Sequence, residues 1–476
     1  MKQFTLEEKN AVLETPFTYI HRKLDILLTV GQLLMECGAD TKRITDEMLK
    51  SATFLGIPQE YLNIHISYTT LMINLRHHDA TLTVFRKTPK HEPNMAMVGA
   101  VSKLTWRALE RHYSLTTYER LLNKLPDSVS SYPNWVKGVF SALGCSGLAI
   151  LFGGEIIAAV MTFICSLLGY FTRAFCMKIG FDSYVSIACG AFTAMGSAYL
   201  SYSFIDQTAL LYTLVCCTLF MIPGVPLINS VIDTINNHIL SGVTRGIRTI
   251  LIVSAMTLGM AMALHFSPVP SFAYVDIKPH LITIEQIIGS FMAAASFAVL
   301  FNVPYRVLVY IGIGGVICVS VRNMLLVDFA FAIPGATFVG ATVMSIIFMR
   351  LSPLLRTSGP VLIVPSAIAL MPGVLLYRFL FDILHIGNLN EAGLLHTIQN
   401  GVTGVLTIIA IAVGVAIPNV LAQRYLDTRK QARLEELLRS RHEFEEKKKY
   451  EIINASKNKD TAGHIIDKLI NPDIID

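Results

Sequence analysis

Hydrophobic and polar positions divide this chain into three stretches. Up to about residue 135 they mix as in an ordinary water-soluble domain, from 138 to 421 apolar runs dominate, and from 422 to 476 charge is dense. In the first stretch Leu24, Leu27, Leu28 and Leu34, then Ile44, Met48 and Leu55, recur at helical spacing. This predicts two amphipathic helices with a turn at Gly38 and Thr41 as N-cap of the second. Residues 61–87 switch to β-branched and aromatic types with His77-His78-Asp79 as a polar break, which predicts a β-hairpin. The helical pattern returns over 94–125, and Ser128–Pro133 reads as a linker.

The central stretch holds ten segments that meet the requirement of about 20 apolar residues for crossing a bilayer. They lie near 138–154, 156–173, 183–203, 207–222, 244–264, 285–302, 306–323, 330–349, 360–377 and 402–421. The stretches 226–243 and 377–400 are amphipathic and are expected not to span. The fold expected is an all-α polytopic membrane protein preceded by a small α+β cytoplasmic domain. Its divisions are 1–133, 134–270, 271–421 and a charged helical tail, 422–476.

Composition agrees: 53% of residues are hydrophobic, 15% are charged and mean hydropathy is +0.53, an excess of apolar surface that calls for a lipid solvent. The formal charge of +5 is modest, and the basic run Lys447–Lys449 is interleaved with Glu443, Glu445 and Glu446, so nucleic acid is not an expected partner. The eight cysteines show no metal-ligand spacing and are expected as reduced, buried thiols. His77, His78 and His91 suit turns or surface better than zinc, and no cofactor or catalytic motif is present. The N-terminus lacks a signal-peptide apolar core. With Lys137, Arg350, Arg356 and the basic residues from Arg424 to Arg441 at one side, both termini are expected in the cytoplasm of a cell with this protein in its inner membrane.

The most informative feature is an internal repeat. Pro223-Gly224-Val225 is echoed by Pro372-Gly373-Val374 at an offset of 149, and the same offset relates Arg173 to Arg322, Asp233 to Asp382 and Phe152 to Phe301. Five spans per copy is an odd number, so tandem copies sit in the membrane with opposite orientation, as two five-helix inverted repeats. In that layout paired Pro/Gly interruptions point to the substrate site, because proline lacks an amide proton and glycine tolerates unwound backbone. Pro223, Gly224, Pro372 and Gly373 are therefore candidate substrate-binding positions; the bland alternative is that they only end helices. Arg322 and Asn323, inside an apolar run, need a partner or a wet cavity and join them. Arg173 reads as snorkelling to the headgroups. Asp233 and Asp382 are candidates for carrying a coupling proton, or else cap connecting helices.

These residues resemble the threonine/serine exporters. The likeness is carried by GQLLMECGADT at 31–41, where Gly38-Ala39 and Thr41 fit the family's GAxT turn, by Leu55-Gly56, and by the two PGV segments each followed by an aspartate. It covers about residues 20–421. The resemblance implies a secondary transporter exporting small amino acids such as threonine and serine, coupled to the proton gradient. Dicarboxylates such as succinate are the alternative cargo. A reading of another class is a membrane-anchored sensor or hydrolase acting through residues 1–133. The expected partners are a small solute, protons, the lipid bilayer and, in a homo-oligomer, further copies of the chain.

Overall fold

The computed structural model describes, within residues 16–418, all but 78–79, 89–90, 205–210, 266–282, 356 and 385. His78, Asp79, Arg356 and the charged tail lie outside the described residues.

The soluble part opens with helices α1 (Pro16–Glu36) and α2 (Thr41–Phe54). Their seam is the predicted one: Leu24, Leu27, Leu34, Ile44 and Met48 are all fully buried. The cap differs. Asp40, in extended conformation, is the N-cap and accepts from the Arg43 amide at 3.0 Å, while Thr41 is the first helical residue. A carboxylate is the better acceptor at the positive end of a helix. The expected hairpin is a three-stranded antiparallel sheet, β1 (Leu62–Ile66), β2 (Thr70–His77) and β3 (Ala80–Lys87), in that order. The 27 residues from 61 to 87 suffice for three strands of ordinary length, and the extra turn is closed by Ser67, whose hydroxyl accepts from the Thr70 amide. Helices α3 (Met95–Glu110) and α4 (Leu115–Ser128) complete a core around the buried Phe54 and Tyr118.

Among the described residues twelve further helices follow: α5 (Asn134–Leu151), α6 (Ile156–Ile179), α7 (Ser183–Phe204), α8 (Leu211–Cys216), α9 (Gly224–Ile235), α10 (Ile239–His265), α11 (Ile284–Leu300), α12 (Leu308–Val327), α13 (Ile333–Leu351), α14 (Gly359–Ala367), α15 (Gly373–Leu384) and α16 (Glu391–Pro418). Among the described residues, α5, α6, α10, α12 with its preceding turn, α13 and α16 are each long and apolar enough to cross a membrane. Two bent pairs, α8 with α9 and α14 with α15, raise the number to as many as eight. The α11 helix has 17 residues, short of that length. The stretch from 226 includes most of α9, which belongs to a bent pair rather than to a connecting segment.

Large apolar side chains point outward along these helices, among them Ile156, Phe175, Ile247 and Leu258. Such a belt is unstable in water and stable in lipid. Inside, backbones approach closely. A Cβ on Gly289 would sit 2.7 Å from the Gly147 carbonyl oxygen and 2.8 Å from the Leu151 nitrogen. The α5–α11 crossing thus depends on small residues, as is usual where no hydrophobic drive separates helix from lipid.

Gly289→Leu should force α5 and α11 apart and cost about 1–3 kcal/mol or more. Thermal unfolding in detergent should show a clear drop, whereas Gly99→Ala, with open space around its Cβ, should leave the midpoint unchanged or slightly raised.

Candidate functional site

The two bent pairs meet at their breaks. The chain turns by 60° between Leu211–Met221 and Gly224–Ile235, and by 57° between Gly359–Leu370 and Gly373–Leu384. Each break is a short 3-10 turn, Leu219–Met221 or Ile368–Leu370, followed by a Pro-Gly pair. Proline cannot donate the hydrogen bond that would continue the helix, and the next helix begins one residue later in a new direction. First-turn amides and last-turn carbonyls at such a break lack intrahelical partners.

The packing between the breaks is reciprocal. A Cβ on Gly224 would lie 3.6 Å from side-chain atoms of Ile368 and Met371. A Cβ on Gly373 would lie 2.5 Å from Ile222 and 3.3 Å from Leu219. Ile368 and Met371 stand 149 residues after Leu219 and Ile222, as Gly373 does after Gly224. A narrow cavity, partly open to solvent, runs along this junction. Its walls include Leu148 and Phe297, Phe152 and Phe301, Leu219 and Ile368, Ile222 and Met371, and Gly224 and Gly373, five pairs at that same offset. The cavity is apolar in its side chains, so polarity must come from the backbone at the two breaks.

The other candidate residues lie elsewhere. Arg322 donates through Nε and Nη2 to Asn323 Oδ1, both at 3.1 Å, and Asn323 Nδ2 donates to Gln286 Oε1 at 3.1 Å. Gln286 is in the first turn of α11, about 22 Å along the helix from the cavity wall at Phe301. The structure does not bring this cluster to the breaks. Arg173 sits behind the first break: its Cβ and the Met221 methyl both crowd Gly190. Asp382 accepts from the Thr397 hydroxyl of α16 at 3.0 Å.

Asp233 is fully buried and holds the soluble domain. Its Oδ2 is 3.0 Å from Arg245 Nε, an ion pair without hydrogen-bond geometry, and its Oδ1 accepts the Thr41 amide at 2.7 Å. Arg245 Nη2 donates to the Ala39 carbonyl at 2.8 Å and Asn229 Nδ2 to the Gly38 carbonyl at 2.9 Å. The Gly38–Thr41 turn, with Gly38 at φ +75°, is thus read through its backbone by three side chains of α9 and α10. Beside it, Tyr68 stacks on His91 with ring centroids 4.1 Å apart and accepts from Arg248 Nη1 at 2.6 Å.

Sequence reasoning missed Asn229, Arg245 and Asn302. Arg245 carried a usable signal, since an arginine in the second turn of a long apolar helix demands a partner. Asn302 carried a weaker one: it occupies the position of Gly153 in the offset and, like that glycine, has positive φ, 52° against 96°.

Burial, aided by the charges of Arg245 and Arg248, lowers His91 from its usual 6.5 to about 4, against hydrogen bonds to Met35 and Thr88 that favour its charged form. The unfolded chain therefore binds more protons between those values. The stabilisation from neutral His91 is complete above pH 6.5 and lost as pH falls toward 4. Thermal unfolding at pH 7 and pH 5 should show a smaller acid-induced loss in His91→Asn than in the native chain; equal losses would contradict the assignment.

Comparisons with known proteins agree with the architecture. The family described as "Putative threonine/serine exporter" matches residues 25–267, and its companion, "Threonine/Serine exporter, ThrE", matches residues 286–421. The chain is 23% identical over 241 residues to the "Probable succinate transporter subunit YjjP" of Escherichia coli, covering 50% of this chain and 92% of that one. The protein of that name from Klebsiella aerogenes is 23% identical over 233 residues, 48% of this chain and 88% of its own. The threonine/serine exporter of Corynebacterium glutamicum is 20% identical over 286 residues, 58% of either chain. No solved structure matches. The sensor or hydrolase reading is set aside: this is a transport protein of the membrane, not an enzyme, and it belongs to the threonine/serine exporter family.

Proposed function

We propose that this protein is a secondary transporter that exports small amino acids, threonine and serine first, through a site at the paired Pro-Gly breaks. The observation that carries the reading is the reciprocal packing of Gly224 against Ile368 and Met371 and of Gly373 against Leu219 and Ile222 around one cavity. Two discontinuous segments meeting inside a bundle offer amides and carbonyls to a solute without burying a fixed charge.

The same contacts support ten spans in two inverted halves, about 134–270 and 271–421. In this reading α7 and α11 cross the bilayer too, and each bent pair crosses once. Element order favours it: α5 to α10 and α11 to α16 each run as three helices, a bent pair and a long helix. Residues 1–133 then form the cytoplasmic domain of an inner-membrane protein, and 422–476 a cytoplasmic tail. Coupling to the proton gradient belongs to the proposal, with the buried Asp382 as its carboxylate; the matched Asp233 is already engaged by the soluble domain.

A second cargo, small dicarboxylates, is favoured by the succinate transporter subunits, of whose length the chain matches about nine-tenths. Amino acids and dicarboxylates share a carboxylate, which helix N-termini such as those of α9 and α15 attract.

Protein in liposomes loaded with labelled threonine, serine or succinate should release at least one of them when a pH gradient is imposed. Gly224→Leu or Gly373→Leu, filling the cavity, should slow release about tenfold or more, a barrier increase of at least about 1.4 kcal/mol. Release of none of the three by the native chain would overturn the proposal.

A further inference from the structure

Among the described residues, the soluble domain is tied to the ends of three segments that form the cavity and also, through Ile66 and Tyr68, to Ser241 and Arg248 of α10. The first is α9, which starts at the break and carries Asn229 and Asp233. These hold the Gly38–Thr41 turn together with Arg245. The second is the approach to α14, where Arg43 Nη2 donates to Ser358 Oγ at 2.9 Å, one residue before the helix that runs into the second break. The third is the turn after α11. There the first amides of α3, Met95 and Ala96, donate to the carbonyls of Phe301 and Asn302 at 3.0 and 3.1 Å. Asn302 also donates through Nδ2 to Asn94 Oδ1 at 2.8 Å and accepts from the Tyr132 amide at 3.0 Å. Phe301 is itself a wall of the cavity.

These ties are joined to one another. Asn94 donates its amide to the Cys37 carbonyl at 3.1 Å, and Glu92 donates to the Glu36 carbonyl at 2.8 Å, so the α1–α2 turn and the start of α3 move as one strap. The strap grips α9 from the first half of the membrane region and α11 and α14 from the second. The two halves therefore cannot separate on this face while it is seated. Asp233 and Arg245 stay paired with each other when the turn leaves, so unseating strips from them the Thr41 amide and the Ala39 carbonyl, two hydrogen bonds to charged groups.

We propose that the soluble domain is the gate on its own side of the bundle, latched by Asp233 and Arg245 to the Gly38–Thr41 turn, and that transport requires this latch to open and close. The inference rests on the carrier reading above and assigns Asp233 to docking rather than to carrying a proton.

Cross-linking in the full chain tests it. Arg43→Cys and Ser358→Cys are combined with replacement of Cys189 by serine, since Cys189 is the one half-buried thiol among the described cysteines. A bifunctional methanethiosulfonate whose span replaces the arginine side chain should stop release of labelled threonine, serine or succinate from liposomes by tenfold or more. Neither single variant should respond, and reductant should restore release. Unchanged release from fully cross-linked protein would overturn the gate and leave the carrier standing; absence of release before cross-linking would bring down the carrier reading and the gate with it.

A second pair of variants separates docking from proton transfer. Asp233→Leu should raise amide hydrogen exchange across residues 38–45 at least tenfold, while Asp233→Asn, which keeps an acceptor for the Thr41 amide, should recover much of the protection and remain driven by a pH gradient. Loss of gradient-driven release in Asp233→Asn with protection of 38–45 intact would overturn the docking assignment.

Discussion

The architecture turns on one constraint: two interruptions of helical backbone must be tolerated in an apolar interior. Each Pro-Gly pair forfeits a turn of intrahelical hydrogen bonds, and in lipid such loss is borne only where protein or a cavity surrounds it. Here each break covers the other. Gly224 faces Ile368 and Met371 at ordinary contact distance, and Gly373 faces Leu219 and Ile222 so closely that a Cβ there would displace the end of the Ile222 side chain. Close crossings such as Gly147 on Gly289 bring the flanking helices near enough to enclose that junction.

From this follows the division of labour around the cavity. Side chains supply an apolar wall, and the breaks supply the polarity. The residues lining the cavity are uncharged. Asp233 and Arg245 lie under the soluble domain, Arg322 with Asn323 and Gln286 at the far end of α11, and Arg173 behind the first break. Keeping charge away from the centre avoids the cost of a fixed ion in low dielectric.

Local rules made part of this visible in the sequence. The apolar runs located the helices of the bundle, and the offset of 149 paired Gly224 with Gly373 and Phe152 with Phe301, residues that share the cavity walls. Amphipathic spacing placed the α1–α2 seam. Three things were out of reach. The first strand turn depends on a serine hydroxyl closing onto Thr70. Thr41, the first residue of the helix that Asp40 caps, gives its amide to Asp233, 192 residues away, a contact no local pattern announces. The strap at Asn94 and Asn302 joins residues 208 apart, and nothing in the sequence pairs them.

If solute passes through the junction of the two breaks, that junction opens to both sides of the membrane in turn. Single cysteines at Ile222 and at Met371, probed in sealed liposomes with a membrane-impermeant thiol reagent added inside or outside, test it most directly. The account predicts labelling of both positions from either side, slowed in each case by transported solute. Labelling from one side alone, or at a rate that solute leaves untouched, would contradict it.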